Sequence, residues 1–283
     1  MDTGAGSSTI PNFDSGFPVD FALSRQYASS ESWYVTARLF SGKWVATNST
    51  GSQSSASTFD FDSNEGWQSN GNNSAYLSWM WKRHAGMDVV TYIGKGVEHH
   101  LPHSLSKVPE MIWVKQTGGF SNWMVYHKGL NSGTNPEQKY LELNDTAATA
   151  DATGPWNDTA PTSTHFTVGA SSGTNGSTDQ YIAMLFSSVA GVSSVGTYSG
   201  SGSSGNAQNI GFQPRLLVVK RVDDTGAWYT FDSLRSNFDS QLELNTSNAQ
   251  DAVDKITVSS TGWSFTDTNI NESGSTYIYY AHA

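Results

Sequence analysis

The chain has 283 residues, 36% hydrophobic and 12% aromatic but only 14% charged, with a formal net charge of −10 and no cysteine. A disulfide framework and a thiolate metal site are excluded. An acidic balance without a basic block disfavours nonspecific binding to nucleic acid or to an anionic membrane, and no run approaches the roughly 18 apolar residues of a spanning helix.

Length allows one to three domains. Short apolar runs between Ser, Thr, Gly and Asn clusters, with no helical periodicity beyond about two turns, predict an all-β chain. Residues 1–16 form an N-terminal arm, Gly/Ser-rich at its start and flexible on composition alone. It has neither a basic n-region nor an apolar h-region, so it does not read as a signal peptide. Repeat one spans residues 17–87. A strand introduced by Pro18 (PVDFALSR) is followed by WYVTARL from Trp33, a polar loop at 49–57, FDFDSNEGW at 59–67, and YLSWMWKRHAG from Tyr76. Repeat two, residues 88–191, opens on DVVTYIGKG. It continues through PEMIWVKQ from Pro109, WMVYHKGL from Trp123 and KYLELN to YIAMLFSSVAG from Tyr181. Repeat three, residues 192–283, opens on SVGTYSGSG and runs through PRLLVVKR from Pro214, WYTFDSL from Trp228 and SQLELN to YIYYAHA from Tyr277.

The tryptophan follows its proline by 14 or 15 residues in each copy, and the tyrosines lie 105 and 96 residues apart. A period near a hundred is far above solenoid repeats. Each unit is long enough to be a small β-domain with its own core. Trp33, Trp123, Trp228, Tyr76, Tyr181 and Tyr277 are therefore the predicted repeat core, and the short linkers predict closely joined modules. Repeat one has no clear copy of the opening strand. Either it is incomplete or residues 9–13 replace that strand. An open edge recruits a partner, so the arm is expected to leave its own repeat and pack on a neighbouring copy. A homo-oligomer follows, with a trimer favoured.

Gly211-Phe212-Gln213-Pro214, Lys220-Arg221, Trp228, Asp232-Ser233-Leu234-Arg235 and the NESGSTYIYY run from Asn271 form one pattern. Repeat two keeps Pro109, Lys115, Trp123 and the Gly-rich opening. Repeat one keeps Gly16-Phe17-Pro18, Arg25 and Trp33 but has Ala37-Arg38 in place of the Asp-Ser turn. The pattern covers nearly the whole chain and resembles the tandem module of structural and tail-fibre-like proteins of marine tailed bacteriophages. The resemblance implies a jelly-roll or lectin-like β-sandwich, a virion location, other virion proteins as partners and no catalytic residue set.

Several groups are candidates for chemistry. His99, His100 and His103, with Glu98, place three imidazoles and a carboxylate in six residues and could hold a divalent metal; the alternative is a surface turn broken by Pro102. Trp156, Asn157 and Asp158 lie in a polar loop without a copy, where a tryptophan could stack on a host-surface sugar. Asp60/Asp62, Asp223/Asp224 and Asp251/Asp254 are the paired carboxylates a glycosidase would need, and solvated turns explain them as well. No nucleophile, zincin or phosphate-loop motif occurs. The resulting expectation is a non-enzymatic phage virion protein without a cofactor, serving as tail fibre, appendage or decoration. The alternatives are a secreted carbohydrate-binding lectin-like protein and a polysaccharide depolymerase. The N-x-S/T triplets at Asn48, Asn144, Asn157 and Asn245 read as products of composition.

Overall fold

A computed structural model describes residues 1–5, 11–40, 42–69 and 74–283. The described residues are almost entirely strands and turns, with a single α-helical turn at Ser172–Asn175. In repeat two the strands Met87–Ile93, Gln180–Phe186, Met111–Gln116, Met124–His127, Lys139–Glu142 and Ala150–Asp151 lie side by side in that order, all antiparallel. Repeat three repeats the order with Ser193–Ser199, Thr276–His282, Leu216–Arg221, Trp228–Asp232, Ser240–Glu243 and Asp251–Ala252. In repeat one Tyr76–Trp81, Phe21–Gln26 and Tyr34–Ala37 hold the same central positions. The Val35–Val45 bridge extends them to Lys43–Trp44 and Ser54–Ser55.

The edge position of repeat one is filled by its own arm. Asp2–Thr3 pairs antiparallel with Tyr76–Trp81, Asp2 opposite Ser78 and Thr3 opposite Leu77. This differs from the expectation of strand exchange: Asp2–Thr3 covers part of the edge of its own sheet, beside Leu77 and Ser78. Of the alternative replacement, residues 9–10 lie outside the described residues. Phe13–Asp14 pairs with Gly66–Trp67 in a smaller sheet.

A small sheet lies against one face of each large sheet. It consists of His99–Pro102 with His165–Val168 in repeat two, and of Gly205–Asn209, Gly262–Phe265 and Ile256–Ser259 in repeat three. The central strands are buried on both faces, which is why MIWVKQ and LLVVKR read as continuous apolar runs rather than as alternation. Along Met111–Gln116, Ile112 and Val114 join Tyr181, Leu185 and Phe166 in a core private to repeat two. Met111 and Trp113 face the other way.

That other face is where a self-contained core fails as a description. Trp33, Trp79, Met111, Trp113, Trp123, Phe186, Trp228 and Tyr280 belong to one cluster shared by all three repeats. Phe21 meets Trp81 at 5.0 Å with the rings tilted, Phe21 meets Phe186 at 6.4 Å and Phe186 meets Tyr280 at 4.9 Å, linking the repeats through aromatic rings. Each repeat is a sandwich with a private core on one side of its large sheet and a third of a common core on the other.

Candidate binding cleft

The residues that recur between repeats do one job. The Trp33 indole N–H donates to the Glu243 carbonyl (2.9 Å), Trp123 to Ala46 (2.7 Å) and Trp228 to Glu142 (2.9 Å). Repeat one thus reaches repeat three, three reaches two, and two reaches one. This cyclic order makes a closed ring of three. The cation closing each central strand follows the same order. Lys115 Nζ donates to the Thr50 carbonyl (2.9 Å), Lys220 Nζ to Thr146 (3.0 Å) and Arg25 to Asn248 (2.7 Å). Burial pushes both lysines down to about 8. Asn48, Asn144 and Asn245 accept the backbone N–H of the recurrent tryptophan at 3.2, 2.7 and 2.8 Å. These asparagines are structural acceptors rather than accidents of composition.

The glycines of the opening strand are equally constrained. A Cβ on Gly94 would stand 2.0 Å from the Gly176 carbonyl oxygen, and one on Gly200 would stand 1.9 Å from that of Glu272. Tyr92 stacks on Tyr181 at 5.1 Å and Tyr198 on Tyr277 at 4.8 Å beneath those turns. Tyr181 and Tyr277 are buried as predicted, whereas Tyr76 is only half-buried.

Tyr76 is half-buried because repeat one carries a cleft of about 440 Å³ on the private side of its sheet, lined by Tyr34, Trp44, Phe59, Tyr76 and residues 55–58. Trp44 meets Tyr34 edge-on at 4.7 Å, and Phe59 meets Tyr34 at 6.1 Å. The Tyr34 hydroxyl donates to Glu31 Oε1 at 2.7 Å. Burial, then this carboxylate, holds the Tyr34 phenol well above its usual range, and burial with Glu31 raises Tyr76 in the same direction. Four aromatic rings, a nearby carboxylate and the exposed hydroxyls of Ser57 and Thr58 make this a recognition surface, with no paired acids and no nucleophile–base pair among its described residues.

Residues 41–283 match the family described as "Domain of unknown function (DUF7483)". The chain belongs to this family. No curated protein and no solved structure matches it.

Within this DUF7483 chain the candidates read from sequence fall into other roles. Trp156 is 2% exposed, packed in the private core of repeat two with its ring edge toward Tyr126 at 6.0 Å. It cannot stack on a sugar. Asn157 and Asp158 follow it in a tight turn with φ of 53° and 46°, and the Asn157 N–H closes that turn on the Thr153 carbonyl. The histidines do not converge, because neighbours on a strand point to opposite faces. The His99 ring packs edge-on against Tyr92, His100 contacts Thr167 Oγ1 (2.9 Å) and Glu98 (3.0 Å), and His103 Nε2 contacts the Thr162 carbonyl. Among the described residues no group of three His, Asp or Glu is placed to hold a metal ion. Burial, assisted by Lys95 for His99, keeps His99 and His103 below the ordinary imidazole range. Of the paired carboxylates, Asp223 and Asp224 are engaged by Arg221, and Asp60 accepts the backbone N–H of Asp62. The Asp-Ser-Leu-Arg turn is a buried ion pair, Arg235 Nε to Asp232 Oδ2 at 2.6 Å.

The cleft residues of the DUF7483 chain carried a signal that the sequence reading missed. KWVATN at 43–48 is the counterpart of KYLELN and SQLELN, with Trp44 at the position of Tyr140 and Gln241, as the pairings Trp44–Ser54, Tyr140–Ala150 and Gln241–Asp251 show. An aromatic residue at that site beside the aromatic Tyr34 was the available clue.

Proposed function

We infer that this protein is a non-enzymatic structural component of a bacteriophage virion, as a tail fibre, appendage or decoration, that also contacts the host surface. The observation that carries the reading is ring closure by the three indole-to-carbonyl bonds. The recurrent polar residues hold repeats to one another, as a rigid scaffold requires, and the candidates for chemistry are individually absorbed into turns and cores. The resemblance of the repeat pattern to phage modules supports the same assignment. Because a closed ring of three repeats already exists inside one chain, other virion proteins are favoured as partners over a homotrimer built by arm exchange. Contact with the host surface falls to the open cleft of repeat one. Mass spectrometry of density-purified particles from a lysate producing the chain tests this: its peptides should appear in a fixed ratio to the other structural proteins. Recovery only from the particle-free fraction replaces this reading with the secreted lectin-like alternative. Reducing ends released from host polysaccharide, and abolished by a single Asp→Asn change, replace it with the depolymerase.

A further inference from the structure

Repeat three holds, in the place of the cleft, one of its own side chains. Gly66-Trp67 and Gly262-Trp263 are counterparts. The pairings Asp60–Gln68 and Thr257–Ser264 then put Phe59 at the position of Ile256 and Thr58 at that of Lys255. Tyr34, next to Trp33, corresponds to Tyr229, next to Trp228. In repeat three the Lys255 ammonium lies 4.6 Å from the centroid of the Tyr229 ring and donates to Gln241 Oε1 at 2.7 Å, with the side chain only 7% exposed. Repeat one keeps the ring (Tyr34) and the recurrent tyrosine (Tyr76, the counterpart of Tyr277), replaces Gln241 by a further aromatic (Trp44), and puts the short Thr58 where the lysine stood. The occupant is gone and its aromatic receptor is enlarged.

We propose that the cleft of repeat one binds an alkylammonium cation, a lysine-type –CH₂–NH₃⁺ or a quaternary ammonium, supplied by another molecule. Aromatic faces attract such cations through the ring quadrupole, most strongly where water is partly excluded. Glu31, hydrogen-bonded to Tyr34 and acting electrostatically on Tyr76, supplies the negative charge at the edge. Arg25 acts on Glu31 electrostatically but without direct ion-pair contact, and no lysine or arginine lines the cleft. A neutral sugar would use the stacking rings but would have no need of Glu31. The inference rests on the cleft and its counterpart in repeat three, not on the virion reading.

The test is calorimetric titration of the full chain with n-butylammonium, choline and glucose in parallel. Butylammonium or choline should bind with Kd in the millimolar range, as expected for one small cation, and glucose at least about tenfold more weakly. Preference for butylammonium points to a primary ammonium, as on a lysine side chain, and preference for choline to a quaternary ammonium. Thr58→Lys restores the internal occupant of repeat three and should abolish binding while the melting temperature holds or rises. Glu31→Gln should weaken the cations about threefold or more and leave glucose unchanged. The proposal is overturned if glucose binds as well as the cations, if no cation binds at 50-fold above the expected range (roughly 50 mM or more), or if folded Thr58→Lys binds like the wild type.

Discussion

Trp123→Phe isolates one of the three bonds that join the repeats. The indole N–H lies 2.7 Å from the Ala46 carbonyl, and the side chain is fully buried. Phenylalanine keeps most of the apolar contact but leaves a buried carbonyl without its donor, a penalty of about 1–3 kcal/mol. Trp123→Ala adds the emptied aromatic site, about 3–5 kcal/mol, for a total of roughly 4–8 kcal/mol. For a chain of this size each kcal/mol lowers the melting temperature by about 2–4 °C, so the Phe variant should melt roughly 2–12 °C lower. Because Trp33 and Trp228 make the same bond to the next repeat, Trp33→Phe and Trp228→Phe should cost the same within about 1 kcal/mol. Guanidinium unfolding followed by circular dichroism gives the numbers. If any of the three Phe variants unfolds within about 0.5 kcal/mol of wild type, the bond between repeats is not what holds the ring, and the cyclic reading is wrong at that interface.

Four further outcomes are expected. His127 is fully buried, with Nε2 toward the Tyr279 carbonyl and Nδ1 accepting from the Gly129 N–H, and burial pushes it down to about 3. The unfolded chain therefore binds the extra proton first as pH falls, and stability should decline from about pH 6.5 toward pH 3; pH-dependent melts of His127→Gln should lose part of that slope, and an unchanged slope refutes the assignment. Gly94→Ala and Gly200→Ala should each destabilise by about 1–3 kcal/mol or more, since the new methyl meets a backbone carbonyl; melts equal to wild type would disprove the close approach. Asn144→Ala should cost about 1 kcal/mol through the lost acceptor for Trp123, read from denaturant midpoints. Deleting residues 1–5 should lower the melting temperature without changing the mass measured by light scattering, because Asp2–Thr3 pairs within its own sheet; a fall in mass would restore strand exchange.

The strands of the large sheets were legible because each central one is a proline-led apolar run buried on both faces, a pattern that needs no tertiary knowledge. The recurrent tryptophans were legible as core for the same reason, but their partners were not: an indole N–H aimed at a carbonyl about 77 to 210 residues away leaves no trace in local pattern. Asp2–Thr3 was illegible because two polar residues carry no strand signal; only the vacant edge beside Tyr76–Trp81 makes them one. Trp156 misled because its sequence neighbours are polar, while its burial is set by Tyr126 and the sheet beneath. The histidine cluster failed on strand geometry, since adjacency in sequence separates side chains across a sheet.

The head-to-tail bonds between repeats have a consequence for how the gene can be rearranged. Each repeat carries both the donor indole and the acceptor carbonyl, and the joint between repeats three and one is made by the same groups as the two that the chain spans covalently. Covalent order is therefore interchangeable with noncovalent order. A permuted chain opened between residues 191 and 192 would still present three identical joints, and separately expressed repeats would have the complementary ends needed to find one another. A fourth repeat would find no vacancy in this ring: among the described residues the common core is already divided among three sheets.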